Sequence, residues 1–244
     1  MTTRCKFVVL LTALLMVGIA TLILGQSVSA AGEGKVTGTI KLDGAVPHQK
    51  PIDMSKEPSC AQQHATPITT EAVVAGASGG LQNVVIYISE GLSGAAASAI
   101  SPQPLEIMQK GCQYLPHVVA INENQEMKVI NSDQTSHNIH PQPKNNHEWN
   151  KSQPPGPAPF VVKWEAEEMA IPVKCNIHPW MRGYIAVVKG PYAVSDGSGN
   201  FTLNNVPPGN YTLTAWQETY GTQTQKVTVA AGKPATADFT FKAK

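Results

Sequence analysis

Short apolar runs, alternating or continuous and broken by turn residues, recur from residue 35 to the end of the chain. Lys35 to Leu42 alternates. Val36, Gly38, Ile40 and Leu42 fall on one side and Lys35, Thr37, Thr39 and Lys41 on the other, which predicts a half-buried strand ending at the Asp43-Gly44 turn. Pro47 to Thr69 has no period and reads as a long loop, whereas Asn83 to Ile88 is continuously β-branched and aromatic and reads as a buried strand. Gly91 to Ser101 is small and weakly patterned, a linker. Leu105 to Met108, His117 to Ile121 and Glu126 to Ile130 then predict three short strands, followed by an Asn131-Ser132-Asp133 turn. Pro141 to Pro159 holds six prolines and reads as a surface loop. Phe160 to Trp164, Glu168 to Lys174 and Gly183 to Val188 predict three more strands. Beyond Tyr192, four alternating strands are expected around Phe201, Tyr211 to Trp216, Val227 to Val229 and Phe239 to Phe241. The pattern is all-β.

The start of the chain is different. Arg4 and Lys6 precede an apolar run from Phe7 to Leu24 and a small-residue stretch, Val28-Ser29-Ala30-Ala31, so residues 1–31 read as a signal peptide cleaved after Ala30 or Ala31. The rival is an uncleaved anchor, the one membrane contact this sequence predicts. Either way the rest is exported, to the periplasm or beyond. A net charge of +1 with 14% charged residues gives no nucleic-acid footprint.

Cys60, Cys112 and Cys175 remain after the signal, an odd number for an oxidising compartment. Cys175 has the ligand-like neighbours, in Cys175-Asn176-Ile177-His178-Pro179-Trp180-Met181. A Cys60–Cys112 disulfide is then the economical reading, against a second metal site built with His64 or His117. Thiol, imidazole and thioether at Cys-x-x-His-x-x-Met suit copper cycling between two oxidation states rather than zinc or calcium. His137 in Ser136-His137-Asn138-Ile139-His140 is the candidate second imidazole, with His140 as its alternative and Asn138 beside it. Glu165, Glu167 and Glu168 read as a solvated turn without an acid–base role.

Pro116, Gln125 to Val129, Asn131 to Asp133, His137-Asn138 and Cys175-x-x-His178-x-x-Met181-x-Gly183 resemble the cupredoxins, the plastocyanin and amicyanin family, over about residues 100–190. Asp196-Gly197 through Phe201, Pro207-Pro208-Gly209 and Tyr211 resemble carboxypeptidase-regulatory-like domains, which are transthyretin-like β-sandwiches. Gly34-x-Val36-x-Gly38 and the Asn83 to Ile88 strand resemble that family's opening strands. The order is similar to bacterial plastocyanin-like proteins of the methylamine-utilisation type. The resemblance implies a Greek-key cupredoxin sandwich at 100–190, packed with and inserted into a second sandwich made of 34–95 and 191–244. It implies one type 1 copper ion held by His137, Cys175 and His178 with Met181 axial, and His178 as the electron port. Asn124-Gln125 stands where the family has a turn glycine.

One-electron transfer to redox partner proteins of the cell envelope is the expected function, and no enzyme activity is expected. The alternatives are a copper carrier or storage protein, which Met-rich runs would favour and the sequence lacks, and an envelope interaction module with a vestigial metal site.

Overall fold

A computed structural model describes residues 32–156 and 158–243. The stretch read as a signal peptide, its expected cleavage site and Cys5 lie outside the described residues. Within them no helix is long and apolar enough to cross a membrane.

The strands run in the order β1 (Gly34–Asp43), β2 (Val85–Glu90), β3 (Leu105–Lys110), β4 (Gln113–Leu115), β5 (Val118–Asn122), β6 (Met127–Asn131), β7 (His137–Pro141), β8 (Lys151–Gln153), β9 (Phe160–Val162), β10 (Glu168–Lys174) and β11 (Arg182–Val188). They continue with β12 (Tyr192–Val194), β13 (Asn200–Val206), β14 (Gly209–Gln217), β15 (Gly221–Val229), β16 (Pro234–Thr236) and β17 (Phe239–Lys242). Two helical turns, α1 (Pro58–Ala61) and α2 (Gly94–Ala97), are the helical elements among the described residues. The all-β class read from the period-two pattern is the class observed.

The strands form four sheets, paired face to face. One pair is β13-β1-β16, with β17 also on β1, against β12-β2-β14-β15. Its core holds Val36, Ile40, Ile86, Phe201, Leu203, Leu213, Phe239 and Phe241. The other pair is β5-β11-β10-β7-β8 against β4-β3-β6-β9, around Ile107, Val129, Ile139, Trp164, Ile171 and Ile185. Among the described strands, β1 and β2 pair only with strands that follow residue 190, and β3 to β11 pair only with one another.

A third apolar layer joins the two pairs and explains the continuous apolar runs. In β2, Ile86 and Ile88 face the first core while Val85 and Tyr87 face the junction. In β5 and β11, Val119, Ile121, Ile185 and Val187 face the second core while Val118, Ala120, Tyr184 and Ala186 face the junction. A strand buried on both faces cannot alternate apolar with polar.

Several elements depart from the sequence reading. The loop at Pro47 to Thr69 contains α1, and the linker at Gly91 to Ser101 contains α2. The proline-rich loop contains β8, which pairs with β7 and buries Gln153. Its amide accepts from Gln109 (2.5 Å) and donates to the Val129 carbonyl (3.2 Å), bonds that propensity does not reveal. Among the described residues, six strands rather than four follow residue 190. Glu168 is not a solvated turn residue. It is buried, and its carboxylate accepts the backbone N–H of Lys144, Asn145 and Asn146 at 2.5–3.1 Å, pinning the start of the proline-rich loop.

Candidate metal centre

The site lies where β7 begins and β10 ends. In β7, side chains alternate. His137 and Ile139 turn inward with the second core, and His140 turns outward to a half-buried position. Strand β10 delivers Cys175, and the chain folds back tightly before β11. Cys175 N–H donates to the Met181 carbonyl (3.0 Å), and Met181 N–H donates to the His178 carbonyl (2.9 Å). These two bonds close the seven-residue loop and bring both its ends to one place.

A ring nitrogen of His137, a ring nitrogen of His178 and the Cys175 sulfur all lie within 4.8 Å of one another, and all three residues are buried, so the group could hold a metal ion. The Nδ1 atoms of His137 and His178 face each other at 3.0 Å, and Cys175 Sγ is 3.7 Å from His178 Nδ1. Met181 is buried and belongs to the same apolar core as Cys175.

The surroundings orient these donors. Asp133 Oδ2 lies 2.8 Å from His137 Nε2, which places a proton on Nε2 and turns Nδ1 toward His178, the nitrogen that could bind a metal in exchange for any proton it carries. Asp133 is itself fixed by the backbone N–H groups of Gly111 and Cys112, both at 2.8 Å. Two consecutive positive-φ residues, Gly111 at 61° and Cys112 at 53°, accompany this pair of converging donors. Asn138 Oδ1 accepts the Asn176 N–H at 2.6 Å and lies 3.3 Å from Cys175 Sγ, while Asn138 Nδ2 donates to Asn150. The Tyr114 hydroxyl donates to the Asn138 carbonyl (2.6 Å), tying the upstream strand to the opposite sheet.

Charge follows from this geometry. Burial pushes the Cys175 thiol up, but hydrogen bonding with His137 and backbone N–H groups outweighs it and holds the thiol below its ordinary range. Burial lowers His137, yet Asp133 and Cys175 reverse that, so its net shift is upward. Burial and then the nearby His137 charge hold His178 low, as a neutral imidazole. A lowered thiol and a neutral imidazole are the forms that bind a metal.

The other residues named from sequence fall as follows. His140 lies outside the cluster, its Nε2 2.6 Å from Glu148 Oε1. Cys60 and Cys112 are bonded to each other (S–S 2.01 Å), and Cys175 is the free cysteine of the described residues. His64 contacts the Gly111 carbonyl and His117 contacts Glu218, so neither serves a thiol. His178 does not form an exposed port. It is only 1% accessible, because Trp180 packs against it with ring centroids 5.3 Å apart and the Cys60–Cys112 sulfurs come within 4.8 Å of a ring nitrogen. Asp133 and Tyr114 are the supporting residues that sequence reasoning missed. For Asp133 the available signal was its place four residues before His137; Tyr114 carried none.

Residues 185–242 match the family model of the carboxypeptidase regulatory-like domain. The match begins within β11, ahead of the expected boundary at residue 191. No curated protein matches the chain. Solved structures similar to part of it include a copper-containing nitrite reductase from Thermus scotoductus SA-01, at 18% identity over 41% of this chain and 25% of that one, with a TM-score of 0.33. The chain therefore spans about a quarter of that reductase. A purple cupredoxin from Nitrosopumilus maritimus is 22% identical over 34% of this chain and 98% of that one, with a TM-score of 0.29. A mutant amicyanin in its Cu(I) state is 17% identical over 42% and 97%, with a TM-score of 0.30.

Proposed function

We propose that this protein is an exported one-electron carrier of the cupredoxin type, with one type 1 copper ion held by His137, Cys175, His178 and Met181. The observation that carries this reading is the convergence of two imidazole Nδ1 atoms and one free thiol, all buried, within 4.8 Å. The donor set fits the metal. Two nitrogens, a thiolate and a neighbouring thioether are soft and intermediate ligands suited to copper, and Asp133 has already oriented one imidazole for it.

Copper supplies the capacity to hold one electron more or less at this position. The chain's own residues govern how easily that happens. The His178 N–H donates to Cys175 Sγ at 3.4 Å, removing charge from the sulfur and favouring the reduced form. Asn138 holds Cys175 and Asn176 in place across the gap between β7 and β10. Cys175 and Met181 belong to the same buried apolar core as Trp164, Ile139 and Val173, an environment that keeps water out and limits rearrangement during electron transfer. With four protein donors, no position is reserved for a substrate, which favours a carrier over an enzyme.

The domain arrangement belongs to the same proposal. Residues 34–95 and 191–244 form one sandwich with 100–190 inserted, a division supported by the pairing of β1 and β2 with strands after residue 190. Its partners are redox proteins of the cell envelope, and export by the signal at 1–31 predicts a mature N-terminus at Ala31 or Gly32. Voltammetry of the copper-loaded mature chain tests the carrier function. A reversible one-electron couple at one copper per chain is expected. Irreversible metal loss on reduction would overturn it.

A further inference from the structure

We infer that electrons enter and leave the metal centre through the ring of Trp180 rather than through an exposed edge of His178; this rests on the function proposed above. His178 is 1% accessible, so an acceptor meets almost none of its imidazole. Trp180 is half-buried, and its ring lies against that imidazole with centroids 5.3 Å apart and planes at 42°. That separation is within the contact range of paired aromatic rings.

The position of the ring is built into the fold. Its Nε1–H donates to the Cys112 carbonyl at 3.2 Å. The side chain packs against two apolar clusters at once, one holding Cys175 and Met181, the other the Cys60–Cys112 disulfide and Met54. Trp180 also lines a cavity of 160 Å³ together with Ile52, Glu71, His117, Arg182 and Glu218. A ring that touches the ligand on one side and borders open space on another joins the centre to the surface.

The other neighbours of His178 offer poorer routes. Ile177 and Pro179 are exposed, but their side chains are saturated. Electronic coupling falls less steeply across a conjugated ring than across the same length of saturated bonds or a gap filled by solvent. The disulfide also stands within 4.8 Å of a His178 ring nitrogen, yet both its cysteines are fully buried and it ends short of solvent.

One electron moves and no proton. It passes from the centre, whose copper goes from Cu(I) to Cu(II), to a one-electron oxidant at the Trp180 surface, which is reduced by one. A one-electron reductant at the same surface reverses the step. Trp180 itself is neither oxidised nor reduced, because its filled π orbitals carry the coupling without being emptied.

Two variants separate a conducting ring from a cover. Trp180→Leu keeps an apolar side chain over His178 and removes the π system, and Trp180→Phe restores an aromatic ring without the bond to Cys112. Electron self-exchange between Cu(I) and Cu(II) copies of the mature chain, read from nuclear magnetic resonance line broadening, runs between identical centres and has no driving force to alter. Exchange should slow several-fold in Trp180→Leu and recover most of its rate in Trp180→Phe, with the visible band unchanged in both. Exchange equal to the parent's or faster in Trp180→Leu overturns the inference, since the ring would then only cover His178. A readout without copper stands beside it: diethyl pyrocarbonate, mapped by mass spectrometry on the metal-free parent, should modify the exposed His48 and His147 and spare His178. Modification of His178 at the rate of His147 also overturns the inference. A parent chain without a thiolate-to-copper band overturns the function proposed above and this inference with it, whereas a normal band with unslowed exchange overturns this inference alone.

Discussion

Asp133 and His137 meet through a 2.8 Å contact between Oδ2 and Nε2, with both side chains sealed from solvent. Burial pushes the Asp133 carboxyl up, but bonds from His137, Cys112 and Gly111 outweigh it and hold the carboxyl ionised below its usual range. The carboxylate thus links the disulfide-bearing turn to the imidazole that faces His178.

Replacing that carboxylate removes the link. Asp133→Ala should weaken copper binding by about 10- to 100-fold, the usual effect of losing a ligand's hydrogen-bond partner. It should also destabilise the fold, because each buried N–H left without an acceptor costs about 1–3 kcal/mol. Chelator competition and urea unfolding read the two effects. Unchanged copper affinity would mean that His137 needs no such orientation.

His117 and Glu218 join the two sheet pairs through a 2.7 Å contact that is nearly closed to solvent. Burial lowers the His117 pKa, but Glu218 and then Glu71 reverse this, leaving it raised above 6.5. Protonated His117 therefore contributes stability that is complete below the unfolded value and is lost as pH rises through the raised folded value. His117→Gln should be less stable than the parent below that window by about 1.5–3 kcal/mol, the worth of a hydrogen bond to a charged group, and the gap should narrow above it. Urea titrations at successive pH values measure this. A gap that widens with pH would contradict the assignment.

Gly183 brings β11 against the segment before β5. A Cβ there would stand 2.7 Å from the His117 carbonyl oxygen, a backbone atom that also accepts the Tyr184 N–H at 2.9 Å. Gly183→Ala should lower stability by about 1–3 kcal/mol through this overpacking. A thermal unfolding midpoint equal to that of the parent would show that the strand yields without cost.

Glu168 holds the proline-rich loop by charge as well as shape. Burial raises its pKa, but bonds from Lys144, Asn146 and Asn145 outweigh it and leave the pKa below 4.5. Its contribution is present above the unfolded value and disappears as pH falls through the lowered one. Hydrogen exchange at Lys144 to Asn146 should accelerate in Glu168→Gln at neutral pH. Protection equal to the parent's would show that the loop holds itself.

Much of this architecture was written in local pattern. Alternation in Lys35 to Leu42 and the double-faced apolar run at Asn83 to Ile88 named strands because each reflects what its two faces touch. The spacing of Cys175, His178 and Met181 named a donor loop because a tight loop brings those positions together. Long-range partners were not legible. The short strand β8 exists because Gln153 finds Gln109 and Val129, and Glu168 is buried because distant backbone N–H groups satisfy it. The cover over His178 comes from Cys60, far upstream in a stretch without any period.

The most direct measurement is the visible absorption and electron paramagnetic resonance of the mature chain loaded with Cu(II), alongside Cys175→Ser. An intense thiolate-to-copper band with narrow copper hyperfine splitting, both lost in the variant, is the predicted result. A weak band with wide splitting that persists in Cys175→Ser would place the copper away from this sulfur and contradict the account.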